Sequence, residues 1–279
     1  MVHWALGFMV FLLVVEVYLA FSTHYASRVQ NERVAEMVLK DPNTFFPLSE
    51  KAKTYIEEIC AEKELSKKPV LLTGVYIQGV GKEDFLSILG LDNVMLSIPQ
   101  EKAKILNELL EKEFLSDEEQ DSFNEITFLI SHEVEHLKKY ASGSYFSVLS
   151  FDKVLSIFKL ILFLLVVEFL LWLGASLGIS IFTSWILVAC FVFLLRMVNT
   201  CSEEYMCDLN SSKNPAVLRA GARWMEKEAL PFSQNLVRTN FLGNFFNAIS
   251  PDFACAFSTI HPHPMKRARR LRDRAEKLN

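Results

Sequence analysis

Long apolar runs alternate along this chain with segments in which charged residues recur at helical spacing. Trp4–Phe21 is apolar apart from Glu16. Val154–Leu173 and Ile179–Leu195 are two further apolar runs, joined at Gly174–Gly178 by a short uncharged loop. Each run has about the length a helix needs to cross a bilayer. The pattern therefore predicts one amino-terminal span and a later transmembrane helical hairpin. A cleaved signal peptide is the alternative for the first run. It lacks a basic leading segment, and Glu16 lies inside its apolar stretch. A buried helical hairpin is the alternative for the second block.

Between and after these runs the pattern changes. Residues 23–65 read as helical with a break at Asp41–Pro47. Pro69–Gly79 and Asn93–Ile98 are aliphatic, β-branched and bounded by turn residues, which predicts short strands of a small sheet. Ser116 followed by Glu119 is a capping box, so a helix should start there and run to about Tyr140, where Ser142-Gly143 ends it. Met265–Leu278 reads as a basic terminal helix. Ala229–Phe257 is rich in phenylalanine but too polar to span a membrane, and its pattern does not choose between core and bilayer surface.

Composition sharpens this outline. The chain has 279 residues, 51% of them hydrophobic, with 23 phenylalanines. A net charge of −4 argues against nucleic acid as a partner. Residues 23–150 hold 22 acids and 14 bases, whereas Met265–Asn279 holds seven bases and two acids. That terminal helix is either solvated or set against anionic lipid. Arg28, Arg33, Lys138, Lys139, Lys153 and Arg196 flank the three runs on one side, which places that side in the cytosol. Cys60, Cys190, Cys201, Cys207 and Cys255 are odd in number and dispersed, the pattern of free thiols. Glu16 and Glu168 are carboxylates inside the runs. They are functional candidates, or else protonated acids bonded across helices, for instance to Thr183 or Ser184.

The chemistry is concentrated at "ISHEVEHLKKY". His132 and His136 lie four apart, so a helix turns both imidazoles to one face and toward one metal ion. Glu133 follows the first histidine and is placed to serve as general base on a water. The bland alternative is a charged helix face with two surface histidines. A catalytic zinc needs a third protein ligand. "SEEYMCDLN" supplies one: Glu204 and Asp208 share a helix face, with Glu204 as ligand and Asp208 as acceptor for a ligating imidazole. Glu203 is the competing ligand, but its partner four residues on is Cys207.

With these two motifs in order, the chain resembles the integral-membrane zinc metallopeptidases that include HtpX and the CAAX prenyl proteases, and it looks closer to HtpX. His132-Glu133-x-x-His136 and Glu204-Tyr205-x-x-Asp208 match that family's motifs. "STIHPHPMKRARRL" resembles its closing segment through His261, Pro262, Arg267 and Leu271. Glu135 stands where the family has Gly, Cys207 where it has Ala, and Cys201 where it has Arg. The resemblance implies that His261 lies near the cleft and hydrogen-bonds substrate or the tetrahedral intermediate. The alternative for His261 is a loop histidine fixed by prolines. Arg267 is expected to tie the carboxy-terminal segment to an acid near the site.

The sequence reading is thus a mainly α (α+β), multi-span membrane protein with a gluzincin-like zinc-binding helix pair and a small sheet. Its expected parts are an amino-terminal transmembrane helix (1–22), a cytosolic part with the sheet and the His132–His136 helix (23–150), a transmembrane hairpin (151–196), and a cytosolic part with the third ligand and the basic helix (197–279). The expected activity is zinc-dependent hydrolysis of peptide bonds in membrane or misfolded proteins near the cytosolic membrane surface. One Zn²⁺ would be held by His132, His136 and Glu204. Glu133 and His261 would be catalytic, and Asp208 and Arg267 would support the ligands. The expected partners are a polypeptide, foremost a membrane protein, and the lipid bilayer. Asn93–Ile98 is expected to be an exposed edge that pairs an extended substrate through its main chain, with loose sequence preference. A catalytically idle zinc-binding scaffold and a CAAX-type processing protease are the alternatives. A transporter built on Glu16 and Glu168 is disfavoured by three spans without a repeat.

Overall fold

The computed structural model describes residues 22, 25–40, 46–73, 85–141, 201–239 and 262–279. Residues 25–40 form the first helix, α1. Then follow α2 (Glu50–Glu62), the strands β1 (Val70–Thr73), β2 (Leu86–Leu89) and β3 (Val94–Ile98), and the helices α3 (Gln100–Glu111) and α4 (Asp117–Ala141). Residues 201–210 are helix α5. Pro215–Thr239 is α6 and Pro264–Lys277 is α7.

Local signals set these boundaries. Ser49 caps α2 by accepting the Ala52 N–H at 3.1 Å. The capping box of α4 is reciprocal: the Ser116 N–H donates to Glu119 Oε2 at 3.0 Å, and the Glu119 N–H donates to Ser116 Oγ at 3.3 Å. His263 caps α7 through Nδ1, which accepts from the Met265 N–H at 3.2 Å, with Pro264 at the first helical position.

The sheet order is β1-β3-β2, with β1 parallel and β2 antiparallel to β3. This corrects the expectation that Asn93–Ile98 is an exposed edge. All five residues of β3 are buried because the strand is central, and the edges are β1 and β2. Only Val70–Thr73 of the first expected strand is described, since residues 74–84 lie outside.

α4 is the spine of the fold. Ile126, Ile130, Val134 and Leu137 pack with α2, α3 and β3. Phe128 and Leu129 face the other way and pack with Val217, Leu218, Met225 and Leu271 of α6 and α7. α1 covers the far side of the sheet, where Ala35 and Val38 meet Leu72, Ile88 and Met95.

The multi-span membrane expectation is corrected. Trp4–Phe21, Val154–Leu173 and Ile179–Leu195, as well as Glu16 and Glu168, lie outside the described residues. Among the described residues, no helix is long and apolar enough to cross a membrane. α4 and α6 have 25 residues each, but both are amphipathic. α4 carries Glu125, Glu133, Glu135, Lys138 and Lys139 between its apolar positions, and such side chains do not face lipid cheaply. The described fold is mainly helical with a small three-stranded sheet, and it does not support a multi-pass integral-membrane protein with a cytosol-facing site.

Candidate metal centre

α4 and α5 build the site between them. His132 and His136 are one turn apart on α4, and Glu204 and Asp208 are one turn apart on α5. All four are buried. The two helices bring these faces together. His132 Nε2 and His136 Nε2 are 3.1 Å apart. Glu204 Oε2 lies 3.4 Å from His132 Nε2, and Glu204 Oε1 lies 3.3 Å from His136 Nε2. This triad, with one donor atom from each residue, could hold a metal ion.

A second set of contacts fixes the first. Asp208 Oδ1 lies 3.0 Å from His132 Nδ1, at ion-pair distance. Arg267 of α7 grips Asp208 with a two-pronged fork, Nε to Oδ2 and Nη2 to Oδ1, both at 2.7 Å. Arg267 Nη2 also lies 3.1 Å from Glu204 Oε2. Arg270, one turn further, stacks on the ring of Tyr205 at 3.8 Å. α7 is thereby tied to the helix that carries the third candidate ligand.

The remaining site candidates are placed as follows. Glu133 is half-buried, and its Oε2 accepts the Ser87 N–H of β2 at 2.7 Å. Glu203 points away from the triad and pairs with Lys139 at 2.5 Å. His261 lies outside the described residues. Glu135, at the position where the resembled family has Gly, pairs with Lys63 at 3.1 Å. Lys63 is itself buried and donates to the Asn210 carbonyl at the end of α5. This pair joins the ends of α2 and α5 to the site helix.

Burial and charge oppose each other here. Burial disfavours a charged His132, but the carboxylates of Asp208 and Glu204 against its two ring nitrogens outweigh it and push the imidazole up to about 10. Burial likewise opposes the Asp208 charge, but Arg267 and His132 hold that carboxyl below its ordinary value. Burial in acidic surroundings raises the Cys207 thiol, leaving it inert.

Two outcomes follow from this arrangement. Without a bound ion, His132 is protonated at neutral pH, and an imidazolium cannot coordinate. Metal uptake must therefore expel the His132 proton. Below pH 10, apparent affinity should fall about tenfold for each unit of acidification from this group alone, and it should level off above that value. Calorimetry in buffers of differing ionisation enthalpy should register about one proton released per ion. Release of none would mean that His132 is already neutral before the ion binds or is not a ligand. Asp208→Asn should weaken metal affinity about 10–100-fold, because the imidazole loses the anion that orients it. A chelator-competition titration measures this, and an unchanged affinity would remove Asp208 from that role.

The sequence reading missed β2 and with it the amide that engages Glu133. Phe85-Leu86-Ser87-Ile88-Leu89 is a short, largely apolar run bounded by Asp84 and Gly90, so the strand signal was present. It also missed the cleft beside the triad, about 530 Å³, whose lining includes Phe85, Phe128 and Trp224 with His132, Glu133 and His136. No family model, curated protein or solved structure matches this chain, so these residues alone carry the functional reading.

Proposed function

We propose that the chain is a zinc-dependent endopeptidase. The observation that carries this reading is the convergence of His132, His136 and Glu204 on the wall of an open cleft, with Glu133 one residue from the first ligand. The donor set fits the ion. Zinc bonds of about 2.0–2.1 Å to nitrogen and oxygen in tetrahedral array place neighbouring ligand atoms roughly 3.3–3.4 Å apart. Here the two imidazole nitrogens are 3.1 Å apart, each faces a different oxygen of Glu204 at 3.4 and 3.3 Å, and one donor atom from each residue lies within 4.8 Å of the others, close enough for one ion to draw them together. Three protein ligands leave the fourth position to water or substrate, the pattern of catalytic sites.

When bound, zinc would supply Lewis acidity that acidifies water and polarises a peptide carbonyl. The protein residues do the rest. Asp208 holds the His132 ring through Nδ1 so that Nε2 faces Glu204. Arg267 holds Asp208 and Glu204 in register and offsets their charge. The Glu133 carboxylate takes a proton from water and returns it to the leaving amine, so the bond is hydrolysed without a covalent intermediate. Substrate reaches these groups through the cleft.

A second reading has one observation in its favour. The Ser87 amide engages Glu133, and that contact could serve structure alone, as in a zinc-binding scaffold. Zinc content measured together with cleavage of unfolded casein separates the two. About one zinc per chain with chelator-sensitive cleavage is expected. Full zinc without cleavage of any unfolded chain would leave the scaffold.

A further inference from the structure

The cleft has two unlike walls. One carries the triad and Glu133. The other is apolar, made by Phe128 and Leu129 of α4 and Trp224 and Met225 of α6, with Phe85 and Leu86 at the lip. Its floor is tightly packed: Phe128 is 0% and Met225 2% exposed. Trp224 and Phe85 are only half-buried, so aromatic surface faces the opening.

Sequence spacing puts this wall beside the chemistry. Phe128 stands one turn before His132 and Leu129 one turn before Glu133, and the Phe128 ring centre is 6.1 Å from that of His132. α6 reaches the cleft because Gly221 has no side chain. A Cβ there would lie 2.5 Å from Phe128 Cδ2. With the backbones this close, Trp224 and Met225, three and four residues on, share the Gly221 face and arrive at the cleft.

We propose that this wall is the subsite for a bulky aliphatic or aromatic side chain of the polypeptide, adjoining the bond to be cleaved. The inference rests on the peptidase reading and gives its substrate class. An apolar side chain would leave water for a preformed apolar pocket. A charged one would shed its hydration against Phe128, Leu129 and Met225. Lys102, the cation among the lining residues nearest in sequence to the sheet, is engaged with Glu125 at 2.8 Å. Selection by side chain replaces the loose preference expected from strand pairing.

The test uses four glycine–alanine decapeptides with one central Leu, Phe, Asp or Lys. Binding to the full-length, zinc-loaded Glu133→Gln chain is followed by calorimetry and by tryptophan emission, so no turnover is needed. The Leu and Phe peptides should bind at least about tenfold tighter than the Asp and Lys peptides, the factor that burial of one large apolar side chain commands. Trp224→Ala should erase that preference. Trp224→Phe keeps the wall apolar and should retain the preference while losing the emission change. Equal binding of the four peptides, or a preference that survives Trp224→Ala unchanged, overturns the subsite. Selective binding with no cleavage by the wild-type chain would uphold the subsite and sink the peptidase reading. Cleavage indifferent to the central residue would do the reverse.

Discussion

Glu133→Gln is expected to lower peptide hydrolysis by about 10²–10⁴-fold, the usual worth of a positioned general base, while zinc stays near one per chain. The reasons are local. Glu133 is not in the triad, so the ligand set is untouched. Its contact with the sheet is the Ser87 N–H donating to Oε2 at 2.7 Å. A glutamine carbonyl oxygen accepts that hydrogen bond equally well, so β2 should keep its place against α4. What disappears is the capacity to take a proton from water. Turnover of unfolded casein is measured beside zinc content on the same preparation. Activity near that of the wild type would remove Glu133 as the base, and loss of zinc would mean that the residue supports the site rather than the reaction.

His132→Ala and Glu204→Ala should each abolish both zinc binding and cleavage. Losing the partner of a ligand costs about 10–100-fold in affinity, and losing a ligand should cost more than that upper figure. Glu204 has the larger structural share. Its two oxygens face the two imidazole nitrogens at 3.4 and 3.3 Å, and Arg267 Nη2 rests against one of them at 3.1 Å. Removing it leaves two donors and a buried guanidinium short of one anion. Glu203→Ala is the matched control. Glu203 lies on the same helix but pairs with Lys139, so zinc and activity should survive. Circular dichroism checks that each variant is folded. Full zinc in folded Glu204→Ala would overturn the ligand assignment, and loss of zinc in Glu203→Ala would reopen the choice between the two glutamates.

The parts of the site that were legible in the sequence all rest on helical period. Residues four apart share a face whatever surrounds the helix, so the His132/His136 and Glu204/Asp208 pairs could be drawn before any fold was known. The same spacing turned Glu203 away from Glu204. The start of α4 was readable because a capping box is a local hydrogen-bonding event, and Met265–Leu278 was drawn within one residue of α7 at each end, its proline-led start unread. Hydropathy drew a multi-span fold from three runs that lie outside the described residues, and among the described residues no helix is long and apolar enough to cross a membrane. α4 interleaves charged and apolar positions and buries its apolar faces against α2, α3 and β3 on one side and α6 and α7 on the other.

By itself, then, the sequence determined which side chains travel together on one element, and so which donor and acceptor types each pair offers. Only the tertiary structure decided which elements meet. It put β3 in the centre of the sheet and β2 at the edge, with the Ser87 amide on Glu133. It gave Glu135 a partner in Lys63 across 72 residues of chain. It set the Arg267 fork on Asp208 and pressed α6 against Phe128 at Gly221 to make an apolar wall. Local spacing is fixed by backbone geometry at each turn. Pairings between distant segments arise from how apolar surfaces bury one another, and many sequences with the same local pattern could have packed otherwise.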